Sequence, residues 1–482
     1  MRAIILPLLL LLPSLAVAEN IDTQSCYVDG LSEKLECGSV SVPLDYQNPD
    51  EQQIDIHYLI LPAIKPQAGQ PPLLAISGGP GQSAIDSARL FNQVFSRVRQ
   101  TRDILLIDQR GTGRSAHMGC SDSTLAQALA IDDRKQDLVL ETQKCFEQLP
   151  YPTQFFDTES GVRDFEKVRL ALGYPSVHLY GISYGTRVAQ VYLTLFPQSV
   201  LTTTLDGVVP MQQSVIAIGH SIERGFNLVM QDCQENLDCN RQYPNLAGQF
   251  KALKAQLAKK PATLKVADPL TAEPRSLILT QAKLLGALRI GMYSPSTRAL
   301  IPYVIDQAAQ GNYNPITGFI SMTFGAGELA MGMHTAVICG EDYPRLDDAL
   351  KASMSDSYIA SEMIKMFDVA CPMWDMPKAD PQYSNAVATD KPVLLLSGEL
   401  DPATPPSWGE MAKERLTNGR HIISPYASHG VAMQTCAGRI IADFIETQSH
   451  SGLDTECMDN DTRRSFYLNA NSTEPNSTKE EQ

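Results

Sequence analysis

Between Val40 and Gly207, apolar strand-like runs alternate with segments of helical period. "IDIHYLIL", "PLLAI", "DILLID" and "VHLYG" read as strands, and "RDFEKVRLALG" and "GTRVAQVYLTLFP" as helices. Parallel strands need long crossovers, and a helix is the usual one, so this order implies an α/β domain with a largely parallel sheet. From about Met211 to Asp380 the pattern lapses into mostly helical sequence such as "QFKALKAQLAKK" and "LILTQAKLLGALRIGM". Strand signals return in "KPVLLLSGELD" and "RHIISPYASHG", followed by a last helix around "GRIIADFIETQ". One α/β domain interrupted by a helical insertion explains this order better than two domains in series. The expected division is a leader at 1–18, a first core part at 19–210, the insertion at 211–380, a second core part at 381–461, and a polar, disordered tail at 462–482.

The leader, "MRAIILPLLLLLPSLAVA", has one arginine, an apolar run too short to span a bilayer, and an A-x-A ending at Ala18. These are the marks of a secretory signal, so the mature chain is expected to be exported and soluble, in a periplasm or outside the cell. All ten cysteines follow it, and none forms a C-x-x-C or a zinc-spaced cluster. Structural disulfides in an oxidising compartment are the expectation. Pairing neighbours in order would give Cys26–Cys37, Cys120–Cys145, Cys233–Cys239, Cys339–Cys371 and Cys436–Cys457. A formal charge of −15 argues against nucleic acid and anionic membranes as partners.

"LLAISGGPGQSA", residues 73–84, follows a strand with a bare, glycine-rich turn. Gly79, Gly81 and Ala84 fit G-x-G-x-x-A, and Asp108 stands roughly where a ribose-binding acid belongs. A dinucleotide site is nevertheless disfavoured, because Pro80 interrupts the fingerprint and the chain carries an export signal. The same glycines suit a turn that bares backbone N–H groups toward an oxyanion. "VHLYGISYGTRVAQ" supports this second use. Gly181-Ile182-Ser183-Tyr184-Gly185 is G-x-S-x-G between a strand and a helix, the setting of a nucleophile elbow. A serine hydroxyl needs a base, and in this architecture the order is Ser, then Asp or Glu, then His. Only His429 lies in a loop between a strand and the final helix. Asp401, where "VLLLSGELDPATPP" opens into a Pro-rich loop, is the favoured acid, with Glu399 as the fallback.

"SGGPGQSA", "IDQRGTGRS", "GISYG", "LSGELDPATP" and "SHG" together resemble the α/β-hydrolase peptidases of the prolyl aminopeptidase group, most nearly the exported tripeptidyl aminopeptidase-like branch. "CGSVSVPLDYQNPDEQQIDIHYLILPA" is also similar to that branch. The resemblance implies an α/β-hydrolase core with a helical cap inserted between the sixth and seventh strands. It implies release of short peptides or single residues from a free N-terminus, with no metal or cofactor. It also implies Ser183 as nucleophile, Asp401 as orienting acid, His429 as base, and the N–H groups of Gly79 and Tyr184 as oxyanion donors. Asp108 and Arg110 would brace the neighbouring loop. The chain departs from the pattern at Ser77, where prolyl aminopeptidases usually carry histidine, which argues against strict N-terminal proline specificity. Such an enzyme anchors a substrate ammonium with cap carboxylates, and Glu341 and Asp342 in "VICGEDYPR" are the expected pair. The expected partner is a peptide with a free N-terminus, met by a monomer. An exported esterase and a catalytically silent binding module are the competing functions.

Overall fold

The computed structural model describes residues 23–120, 125–268, 271–325 and 329–475; the leader lies outside them. The main sheet contains β1 (Gln24–Cys26), β2 (Leu35–Pro43), β3 (Gln53–Leu61), β4 (Leu73–Ile76), β5 (Ile104–Ile107), β6 (Val177–Ile182) and β7 (Val200–Asp206). A separate hairpin, β8 (Ala262–Ala267) and β9 (Pro274–Leu279), intervenes before β10 (Val393–Gly398) and β11 (Gly419–Ser424) complete the sheet. The nine strands run in the order β1-β2-β3-β5-β4-β6-β7-β10-β11. The joins from β1 through to β5 are antiparallel, and those from β5 to β11 are parallel. This is the α/β-hydrolase fold. Counted from β2, the insertion falls between the sixth and seventh strands of the sheet.

Burial explains the strand sequences. β4, β5, β6 and β10 are buried at every position, so "LLAI" and "ILLI" are apolar without alternation. On one face of the sheet, Val162, Phe165 and Val168 of helix Thr158–Ala171 join Val188 and Tyr192 of helix Tyr184–Leu195. On the other, Phe91 of helix Ala88–Val94 meets Ile440, Ile441 and Phe444 of helix Ala437–Thr447.

The insertion does not pack as one unit. Helix Ile218–Glu235 and its neighbours build a separate core from Ile222, Phe226, Phe250, Leu257, Leu284, Leu288 and Ile305. The segment from Ala330 to Trp374 packs instead with the sheet, Met333, Val337, Phe367 and Trp374 sharing a cluster with Ile107 and Val188. The hairpin was hidden in a stretch that reads as helix. "LIL" at 277–279 ends β9, and Thr280 then caps helix Gln281–Gly291 by accepting from the Lys283 N–H at 3.2 Å. All five cysteine pairs are the expected ones.

Of the tail expected to be disordered from 462, residues 462–475 are described and ordered, and the rest lies outside the described residues. Phe466 is 1% exposed within the insertion's core, and β12 (Tyr467–Asn469) pairs with β13 (Ser472–Thr473). Tyr243 Oη donates to the Tyr467 carbonyl at 2.8 Å. A single aromatic anchor in a polar stretch carries too little compositional signal to mark an ordered segment. Phe466→Ala should cost about 3–5 kcal/mol, read as a lowered denaturation midpoint.

Candidate active site

The site is built around Ser183, which links β6 to helix Tyr184–Leu195 with φ 56° and ψ −127°. A non-glycine residue in that region costs of order 1–3 kcal/mol and persists only when its surroundings hold it. Three hydrogen bonds do so. Ser183 N–H donates to the Asp206 carbonyl at 2.9 Å, while the Thr186 N–H at 2.9 Å and the Thr186 hydroxyl at 2.6 Å both donate to the Ser183 carbonyl. The flanking glycines are steric requirements of the turn. A Cβ at Gly185 would stand 2.5 Å from the carbonyl oxygens of Ile76 and Ser77, and one at Gly181 would collide with the Gly185 carbonyl. Ser183 occupies the N-cap position of the helix, yet its side chain does not cap it.

The glycine turn lies against the serine: a Cβ at Gly78 would be 3.0 Å from the Ser183 Cβ. Gly79 takes φ +108°, turning its backbone in a way that L side chains rarely allow. Tyr184 opens the helix, so its N–H is among the first-turn donors without an intrahelical acceptor. The turn is pinned from the insertion, a contact that sequence reasoning missed. Gln82 bridges Leu329, Ala330 N–H donates to the Gly81 carbonyl at 3.0 Å, and His334 Nδ1 lies 3.0 Å from the Pro80 carbonyl. Burial holds the His334 imidazole below its ordinary pKa, so it donates as a neutral ring. Ser77 Oγ donates to the Ser83 carbonyl at 3.3 Å, a structural bond within the turn.

Asp401 and His429 meet beyond the ends of β10 and β11. His429 Nδ1–H donates to Asp401 Oδ2 at 2.9 Å, which fixes the tautomer and leaves Nε2 with the lone pair. Asp401 is fully buried and also accepts from the Ala403 and Thr404 N–H groups at 2.7 and 2.9 Å and from the Thr404 hydroxyl at 2.8 Å. Glu399, the fallback acid, instead pairs with Arg224 of helix Ile218–Glu235. Burial works against the charged form of His429, but the charge and hydrogen bond of Asp401, joined by the charge of Asp206, raise its pKa overall. Asp206 was not foreseen. Fully buried at the end of β7, it accepts from Val431 N–H at 2.7 Å, Ala432 N–H at 2.8 Å and Tyr180 Oη at 2.8 Å. The Asp-Gly ending of "VLTTTLDG" was its only sequence signal.

Asp108 and Arg110 brace the neighbouring loop. Asp108 Oδ1 accepts from Ser83 Oγ at 2.7 Å and Ile85 N–H at 3.1 Å. Arg110 makes a two-pronged pair with Asp164, both bonds 2.7 Å and both side chains fully buried.

Glu341 and Asp342, expected as the amine anchor, are buried and engaged with groups of the protein itself. Asp342 is fully buried between Arg187 and Arg345, at 2.9 and 2.8 Å, and it accepts from Val215 N–H as well. Glu341 accepts from the Thr158 N–H at 2.7 Å, from the Thr158 hydroxyl at 2.8 Å and from Tyr383 Oη. The Thr158 hydroxyl in turn lies 2.6 Å from Tyr184 Oη, so Glu341 stiffens the back of the elbow. Acids beside a turn resemble surface; here buried arginines and hydroxyls on distant elements consume their lone pairs. Burial pushes Glu341 up to about 7. Its proton is therefore held more tightly folded than unfolded, and that stabilisation is complete below about 4.5 and lost as pH rises through about 7. Glu341→Gln should flatten the dependence of the melting temperature on pH across this window.

Similarity to known proteins agrees with this geometry. Residues 356–457 match the family model described as TAP-like protein. The chain is 24% identical to the tripeptidyl aminopeptidase of Streptomyces lividans, over 93% of this chain and 88% of that one. It is 23% identical to the serine protease Hip1 of Mycobacterium tuberculosis, over 77% and 76% of the two chains. A carboxylesterase B of Mycobacterium tuberculosis is 28% identical over 54% of this chain and 52% of that one. These similarities bear out the resemblance to TAP-like α/β-hydrolases, and the chain is a serine hydrolase.

Proposed function

We propose that this serine hydrolase is an exported exopeptidase that releases short peptides or single residues from the free N-terminus of peptides through an acyl-enzyme. Ser183 is the nucleophile, His429 the base, Asp401 its orienting acid, and the N–H groups of Gly79 and Tyr184 the oxyanion donors. The observation that supports this chemistry is the strained Ser183 turn, packed against the Gly78 loop and tied through Asp206 to the loop that follows the buried Asp401–His429 pair. Similarity over most of the chain to a tripeptidyl aminopeptidase favours peptides as substrates. Export is supported by the leader sequence and by five disulfides, which need an oxidising compartment. Among the described residues, no helix is long and apolar enough to cross a membrane.

In this mechanism His429 Nε2 takes the Ser183 proton as the hydroxyl attacks the scissile carbonyl. The developing oxyanion meets two fixed backbone donors, each typically worth a hundred- to a thousandfold in rate. Asp401 stabilises the imidazolium without taking the proton, since its oxygens are already held by Ala403, Thr404 and the imidazole. The imidazolium then protonates the leaving amine, and water repeats the sequence on the acyl-enzyme.

The same residues hydrolyse esters, and the partial similarity to a carboxylesterase supports that as the second reading. Aminoacyl-p-nitroanilides and short acyl esters, assayed side by side, separate the two: the peptidase reading requires efficient anilide turnover only when the N-terminus is free. Ser183→Ala should lower kcat on the preferred substrate by about 10³–10⁶; an unchanged rate would falsify the nucleophile assignment.

His429 must be neutral to act as base. Because its pKa is raised, the acid limb of kcat/KM should lie above the ordinary histidine value of about 6.5. Asp206→Asn, which removes one of the negative charges responsible, should move that limb to lower pH in a full pH–rate profile.

A further inference from the structure

Among the described residues, Arg289 has no acid partner. It sits in the last turn of helix Gln281–Gly291, half-buried, and Nη2 donates to Tyr293 Oη at 3.1 Å. Its guanidinium lies over the Tyr293 ring, 5.8 Å from the centroid, and its buried Nε has no hydrogen-bond partner. Other arginines of the insertion and the elbow helix are paired: Arg187 and Arg345 with Asp342, Arg224 with Glu399, Arg298 with Asp232. In a chain with 54 acidic and 39 basic residues, this half-buried arginine has no carboxylate among the described residues. Its position at a helix C-terminus accounts for a favourable charge; Arg187 Nε and Arg224 Nη1 also lack a partner among the described residues, but both of those guanidiniums hold a carboxylate, which Arg289 does not.

The place of this cation is fixed by its neighbours. The Tyr293 ring meets the His429 ring edge-on, with centroids 4.9 Å apart. Gln434 Nε2 donates both to the Tyr293 carbonyl at 3.0 Å and to the His429 carbonyl at 2.6 Å, tying the two residues together. The spacings of 5.8 and 4.9 Å bound the guanidinium-to-imidazole separation at about 11 Å, roughly the reach of three extended residues. The imidazole hands its proton to the leaving amine, so the leaving peptide must pass along the His429 face.

We propose that Arg289 binds the free C-terminal carboxylate of the leaving peptide, making this enzyme selective for short peptides with one to three residues beyond the scissile bond. This rests on the exopeptidase reading above. A carboxylate is the planar, two-oxygen anion that an arginine fork fits best, and the pair is stronger where water is partly excluded. Longer chains would place their carboxylate beyond reach and lose the interaction.

The test compares one tetrapeptide as its free acid, as its C-terminal amide, and as an amide with glutamate in the last position. In the wild-type enzyme the free acid should show a KM about tenfold below that of the amide, with kcat little changed. Arg289→Gln should bring the two KM values within about twofold, and Arg289→Lys should keep part of the difference. Equal KM values in the wild type, or a difference that survives Arg289→Gln, overturns the proposal. Binding of the glutamyl amide as tight as that of the free acid overturns the assignment to the C-terminus. Should the variants fail to fold, wild-type inhibition by a dipeptide acid and by its amide decides the matter: stronger inhibition by the acid supports the site, and equal inhibition refutes it. Turnover of acyl esters with no cleavage of any peptide or anilide would defeat the exopeptidase reading instead, and the inhibition comparison would still judge the carboxylate site.

Discussion

Asp206 ties the two halves of the site together. Its carbonyl accepts the Ser183 N–H, holding that serine in its strained turn, and its carboxylate accepts the N–H groups of Val431 and Ala432, just beyond His429. One residue at the end of β7 therefore sets the position of the serine loop against the histidine loop, although they lie about 250 residues apart in the chain. Burying a carboxylate is costly unless its oxygens are satisfied, and here two backbone donors and Tyr180 Oη satisfy them. Burial nevertheless raises the Asp206 pKa. The fold accepts that cost at a point where backbone donors and a nearby imidazole both gain from the negative charge.

The insertion reaches the candidate site. Leu329, Ala330 and His334 pin the glycine turn, and the helix that contains His334 packs into the core of the sheet rather than into that of the insertion. The glycine turn is thus held from two sides, by the Ser183 elbow and by the segment from Leu329 to His334. Behind the elbow, Glu341 and Asp342 engage Thr158, Tyr383, Arg187 and Arg345 and so rigidify the helix that begins at Tyr184. Preorganised donors contribute most to catalysis when they need no rearrangement as charge develops, and these buried networks provide that stiffness.

Much of this was legible in the chain. The alternation from Val40 to Gly207 implied the parallel sheet because the central strands are covered on both faces and must be apolar throughout. "GISYG" between a strand and a helix implied the elbow because no residue larger than glycine fits where Gly185 meets the Ile76 and Ser77 carbonyls. Asp401 was separable from Glu399 by its place in the loop. Order along the chain also anticipated the five disulfides, since each joins neighbouring cysteines. The β8–β9 hairpin escaped notice because its apolar "LIL" runs straight into a helix and reads as part of it, and the Phe466 anchor because a single aromatic packs against residues remote in sequence.

The sequence by itself determined the residue types and their order: a serine in a glycine-flanked turn, an acid after a late strand, a histidine before the last helix. Those follow from local sterics and strand–helix period, which act over a few residues. Only the tertiary structure decided which carboxylates face the chemistry. Glu341 and Asp342 were withdrawn into buried hydrogen-bond networks, Asp206 was placed between the serine and histidine loops, and Arg289, with no acid partner among the described residues, was set against the Tyr293 ring that meets His429. Charge pairing and burial are set by elements hundreds of residues apart, so no local pattern could have carried that information.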